Sequence, residues 1–83
     1  MNLFLIHYDL PQKPDVEYPE LIPILMRLGA KRITATGWAL KTSRTIAEVR
    51  DEIVICALPG DRFVIAEISD WRASGTMARI DEL

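Results

Sequence analysis

The opening apolar run Leu3-Phe4-Leu5-Ile6-His7-Tyr8-Asp9-Leu10 ends on residues able to do chemistry. Asp9 stands at the tip of what reads as a first strand, just before Leu10 and Pro11. A carboxylate placed there stays near water while its backbone is held rigidly, which suits a metal ion or a phosphate-handling site. An aspartate before a proline is also a common way to end a strand and open a turn. His7, two residues earlier, shares the strand face of Asp9. It would serve there as a general base or second ligand, or simply as a packed interface residue.

Partners for Asp9 are sparse along the chain. If the first and last strands run antiparallel, Asp9 lies near Asp61 and Arg62, and Glu67 falls toward the opposite end. Asp61 is then the carboxylate available as a co-ligand, and Arg62 the cation available for an ion pair. Arg27, Lys31, Arg32, Lys41 and Arg44 gather around the first helix end and the middle of the chain, and form the best local basic patch for a nucleic acid. A solvated protein face has the same composition. Trp38 and Trp71 are candidates for stacking on bases, or for core and dimer contacts. The sequence contains no Walker loop, no zinc-ligand spacing and no glycine-rich dinucleotide fingerprint.

The elements that must position these residues follow from hydrophobic periodicity. A first strand over residues 2–10 places Phe4, Ile6, Tyr8 and Leu10 on one face and Leu3, Leu5, His7 and Asp9 on the other. Both faces are largely apolar, as in a central strand covered on both sides. After a loop over 11–16, Glu17-Tyr18-Pro19-Glu20 resembles a helix start. Leu21, Leu25 and Leu28, supported by Ile22, form the helix stripe, Pro23 bends its first turns, and Gly29 stops it.

Residues 30–42 switch to period two, as one bent strand or as a short edge strand turning into a longer one at 35–37. Thr45 and Glu48 have capping-box spacing for a second helix reaching about residue 58, with Ile46, Val49, Ile53 and Ala57 facing the core. Pro59-Gly60-Asp61 breaks it, and residues 62–68 form a last strand. Residues 69–83 read as a tail or an edge strand that crosses a dimer. This order predicts an α+β, ferredoxin-like split βαβ domain over residues 1–83: a four-stranded antiparallel sheet with two helices on one face. Leu3, Leu5, Phe63 and Ile65 are the residues expected on its open face, where a second copy would cover them.

Composition supports association as well. Eighty-three residues allow one domain, and a chain of this size buries only about 60% of its unfolded surface. With 49% hydrophobic residues, part of the apolar surface is expected to meet a second copy, so the expected partner is a homodimer. Ten Lys plus Arg against twelve Asp plus Glu give a net charge of -2. That balance opposes broad nonspecific binding to nucleic acid, which depends on many cations displacing counterions. A lone Cys56 in an apolar stretch reads as a core residue in a reducing, cytoplasmic setting. No apolar run is long enough for a membrane span, and the opening residues lack a signal-peptide pattern. The ending Ile80-Asp81-Glu82-Leu83 is only superficially like an endoplasmic-reticulum retrieval tag.

Several local motifs also fall in a suggestive order: Ile6-His7-Tyr8-Asp9-Leu10-Pro11, then Leu28-Gly29 followed by Arg32 and Ile33, then Thr36-Gly37-Trp38, then Gly60-Asp61-Arg62. Together they span residues 2–68, and their order and spacing resemble the small CRISPR-associated Cas-two family and its VapD-like relatives. The resemblance implies a ferredoxin-like homodimer associated with RNA or DNA. It implies further that Asp9 matches the aspartate proposed as metal ligand in members reported as nucleases. Two copies of that residue would then hold one divalent ion such as Mg2+ beside a scissile phosphate. The chain departs from the family pattern in its longer loop over 11–16, with Lys13 as its one cation, and in its acidic balance.

The leading expectation is therefore a dimeric nucleic-acid-associated protein with metal-dependent endonuclease or endoribonuclease activity through Asp9. The alternative is a noncatalytic protein-interaction or scaffold module. A small-ligand sensor on the same fold is a third reading, without a pocket signature in the sequence.

Overall fold

A computed structural model of the chain describes residues 1–9, 21–55, 57, 60–71 and 74–76. Along these run β1 (Asn2–Asp9), α1 (Leu21–Leu28), β2 (Lys31–Arg32), β3 (Gly37–Thr42), α2 (Ile46–Val54) and β4 (Arg62–Glu67). The strands form one sheet in the order β2-β3-β1-β4, and every adjacent pair is antiparallel. This is an α+β fold compatible with the ferredoxin-like expectation.

Register assigns the two faces of the sheet, because directly paired residues point to the same side. Phe4 pairs with Leu40, Ile6 with Trp38 and Ile65, and Tyr8 with Phe63. These residues join Leu21, Ile24 and Leu25 of α1 and Val49 and Ile53 of α2 in one hydrophobic core. Both helices therefore cover this side. On the other side Leu5 pairs with Ala39 and Ala66, His7 with Gly37 and Val64, and Leu3 with Lys41. A small cluster of Ile33 and Ala39 packs there against Leu3 and Leu5, with no helix residue in it.

Local chemistry explains where the elements stop. At the end of α1 the Ala30 N–H donates to the Leu25 carbonyl at 3.0 Å and the Gly29 N–H donates to Met26 at 3.1 Å. This is a Schellman motif, and Gly29 takes the φ of +93° that it requires. The expected capping box opens α2: the Glu48 N–H donates to Thr45 Oγ1 at 3.2 Å, and the Thr45 N–H donates to Glu48 Oε1 at 2.9 Å. Of the two readings for residues 30–42, the short edge strand turning into a longer one is the observed one. The turn between them closes with the Thr34 N–H on the Gly37 carbonyl at 3.1 Å. A β-carbon at Gly37 would lie 2.6 Å from Thr34 Oγ1, so a larger residue there would require the exposed Thr34 side chain to turn away.

Several expectations need correction. Phe63 and Ile65 are packed under the helices, and Val64 and Ala66 take their place on the open face. Ile46 and Ala57 are exposed, so the buried stripe of α2 reduces to Val49 and Ile53. Helix α2 ends at Val54 with Ile55 as its C-cap, earlier than expected. Ile24 belongs to the core beside Leu21 and Leu25. The loop over 11–16 with Lys13, the helix start at Glu17, Cys56, and most of the 69–83 tail lie outside the described residues. Among the described residues no strand follows Glu67, and no helix is long and apolar enough to cross a membrane.

Candidate functional site

The sheet face opposite the two described helices is where the candidate residues gather, beside Ala39 and Ile33, which are buried there, and Leu3 and Leu5, which are half-buried. Its centre is aliphatic: Leu3 and Leu5 of β1, Ala39 of β3, and Val64 and Ala66 of β4, with Ile33 at one side. Val64 is 58% exposed. Alternation along antiparallel strands puts every second residue here, and the phase of β4 is fixed by the pairing of Arg62 with Asp9.

Asp9 sits at one end of this face, as the first strand's position requires. Its Oδ2 accepts a hydrogen bond from Arg62 Nη1 at 2.8 Å. Both side chains are more than half exposed, so the pair contributes at most about 1 kcal/mol and can rearrange. A hard divalent cation takes several oxygen ligands, and the Asp9 oxygen described here faces the Arg62 guanidinium. His7 shares the face and is exposed beside Val64 and Gly37. Glu67 pairs with Phe4, far from Asp9 along the strand, as expected.

The five basic residues do not form one patch. Arg27 Nη2 lies 3.1 Å from Glu52 Oε2, and Arg44 Nη1 lies 3.7 Å from Glu52 Oε1, so these two flank an acidic side chain of α2. Arg32 pairs with Trp38 on the helix-covered side. Its guanidinium carbon lies 5.0 Å from the Trp38 ring centroid, a cation–π contact, and its Nη2 donates to Tyr8 Oη at 3.4 Å. Lys31, paired with Ala39, and Lys41, paired with Leu3, belong to the open face.

Phe4, Tyr8, Trp38 and Phe63 are likewise turned away from that face, whereas Trp71, beyond β4, is exposed. The buried Trp38 Nε1 donates to Tyr8 Oη at 3.2 Å, and Tyr8 and Phe63 have ring centroids 6.4 Å apart. Trp38 is thus the core residue of the two roles considered for it. Sequence reasoning missed this Tyr8–Trp38–Arg32 cluster, although three even positions along paired strands were the available signal. It also missed Val64 and Ala66, and a groove of about 540 Å³ between α2 and β4 bordered by Ile46, Val54, Phe63 and Ile65.

In comparisons with known proteins, no family model matches the chain, and no curated protein or solved structure matches it.

Proposed function

We propose that this chain is a noncatalytic interaction module that binds a second copy of itself through the open face of its sheet. The observation that supports this most is the aliphatic strip of half-buried Leu3, Leu5 and Ala66 beside exposed Val64, which neither described helix covers. Burial of such a strip against another is the main source of stability in a two-sheet sandwich. A nucleic-acid reading asks for something different. Single strands are held on exposed aromatic rings and a basic track, whereas Tyr8, Trp38 and Phe63 face the helices and Arg27 and Arg44 flank Glu52. The Asp9–Arg62 pair gives the second copy a charged rim to read, and a nuclease centre is not required to explain it.

Sedimentation equilibrium over a micromolar concentration series tests the proposal. The expected result is a monomer–dimer equilibrium that Leu5→Lys shifts strongly to monomer, since a lysine there would be desolvated in the interface. A wild-type chain that stays monomeric at all concentrations contradicts it. In parallel, binding to RNA or DNA at low salt should be undetectable. Binding that weakens with salt by a log–log slope of about -0.9 per phosphate contact on duplex DNA would favour the nucleic-acid reading instead.

A further inference from the structure

We propose that the groove between α2 and the outer edge of β4 takes an extended segment of a partner protein as an antiparallel fifth strand, apolar at alternate positions and basic at its ends. This surface is separate from the sheet face that carries self-association, so the proposal stands apart from that reading.

The hydrogen-bonding groups of an antiparallel strand point alternately to its two neighbours, and two bonds just outside the ladders fix the phase here. The Ile68 N–H donates to the Leu3 carbonyl at 2.9 Å, which continues the pairing of β1 with β4. Strand β4 therefore bonds to β1 through Arg62, Val64, Ala66 and Ile68. The Tyr8 N–H donates to the Thr36 carbonyl at 3.2 Å, so Tyr8 bonds toward β3, and its β4 partner Phe63 bonds away from β1. Ile65 and Glu67 share that phase. These three residues turn their N–H and C=O groups to the outer side of β4, beyond which no described strand lies. Among the described residues nothing bonds to them there, and such an edge is a template for another strand.

The side chains of the same residues define what that strand must carry. Phe63 and Ile65 are half-buried and form one wall of the groove of about 540 Å³. Ile46 and Val54 of α2, 43% and 42% exposed, form the other. A residue paired directly with Phe63 or Ile65 points its side chain to the same side, into the groove. Backbone bonds and a pocket for alternate side chains are thus in register, as strand addition requires. Along this side β4 and the residue before it read Asp61, Phe63, Ile65, Glu67, a carboxylate at each end of an apolar pair. Glu67 is exposed and forms no ion pair among the described residues, whereas Arg50 on the α2 wall is held by adjacent Asp51 at 3.0 Å. Basic ends complement this row.

A second copy of β4 does not. Two-fold pairing centred on residue 64, 65, 66 or 67 sets Glu67 against Asp61, Phe63, Ile65 or Glu67 of the other copy, respectively. Each places a carboxylate on another carboxylate or on the apolar wall.

Amide hydrogen exchange by NMR on the full chain tests the proposal, with the capped peptide Lys-Thr-Val-Thr-Val-Thr-Lys as probe. In the free chain the Phe63, Ile65 and Glu67 amides are expected to exchange readily and the Val64 and Ala66 amides slowly. Saturating peptide should slow the first three at least roughly tenfold. Binding should weaken roughly tenfold when both valines are N-methylated, which removes the strand's donors but keeps its side chains. A peptide with glutamates in place of the lysines should also bind more weakly, and Glu67→Lys, at an exposed position, should reverse that preference. No protection at millimolar peptide, or equal binding of the N-methylated peptide, overturns the proposal. So does protection of the three amides before peptide is added: at every dilution it would mean an edge already paired within the chain, and only on concentration, an edge paired with a second copy.

Discussion

Tyr8 illustrates how single polar atoms discipline this core. Its hydroxyl accepts from the buried Trp38 indole at 3.2 Å and from Arg32 at 3.4 Å, so three side chains depend on one oxygen. Tyr8→Phe keeps the ring and leaves the indole N–H without that acceptor, at a cost of about 1–3 kcal/mol. Denaturant unfolding followed by tryptophan fluorescence checks this, and a variant as stable as the parent would show the bond to be dispensable. Asp9 behaves differently because it lies at the surface. Asp9→Asn should change stability by less than about 1 kcal/mol. A calorimetric titration with Mg2+ should give no heat that distinguishes this variant from the parent, and a signal lost with the substitution would restore a metal role. The candidate residues were legible one by one in the sequence, Asp9 and its neighbour Arg62 included. Their grouping was not, since proximity along the chain said nothing of Arg32 turning to the helix side while Lys31 stayed on the open one.

At the level of elements, the ends of the helices carry the local instructions. Glu48 accepts the Thr45 N–H, and this backbone bond, with the Thr45 hydroxyl and the charge of Arg44 adding to it, holds the carboxyl below the usual carboxylate range against a small opposing effect of burial. The lowered folded-state pKa means that the capping box contributes stability above the unfolded glutamate value, about 4.3, and loses that contribution as pH falls through the folded value. Thr45→Ala should cost about 0.5–2 kcal/mol near neutral pH. Glu48→Gln should flatten the acid limb of a pH–stability profile, and an unchanged limb would contradict the assignment. Gly29→Ala should cost about 1–2 kcal/mol because of the left-handed backbone alone, since its β-carbon would meet nothing within 4 Å. These devices were readable beforehand because each is a short motif whose physics is local. The phase of β4 was not, because Phe63-Val64-Ile65-Ala66 is apolar at every position and periodicity cannot choose its buried face. Pairing of Arg62 with Asp9 chooses it, and that is a nonlocal fact.

For the molecule as a whole, two short helices can cover one side of a four-stranded sheet and no more. The chain is too small to close a second layer over Leu3, Leu5, Val64 and Ala66 with the described elements, which is why composition already pointed to association. A second apolar surface competes for attention on α2, where Ile46, Val54 and Ile55 are exposed beside the groove next to β4. The central claim is that self-association uses the sheet face and not α2. Hydroxyl-radical footprinting read by mass spectrometry, on dilute and concentrated protein, tests it most directly. The account predicts that concentration protects Leu3, Leu5 and Val64 severalfold while Ile46, Val54 and Ile55 react as before. Protection of the α2 residues with the sheet face left reactive would contradict it.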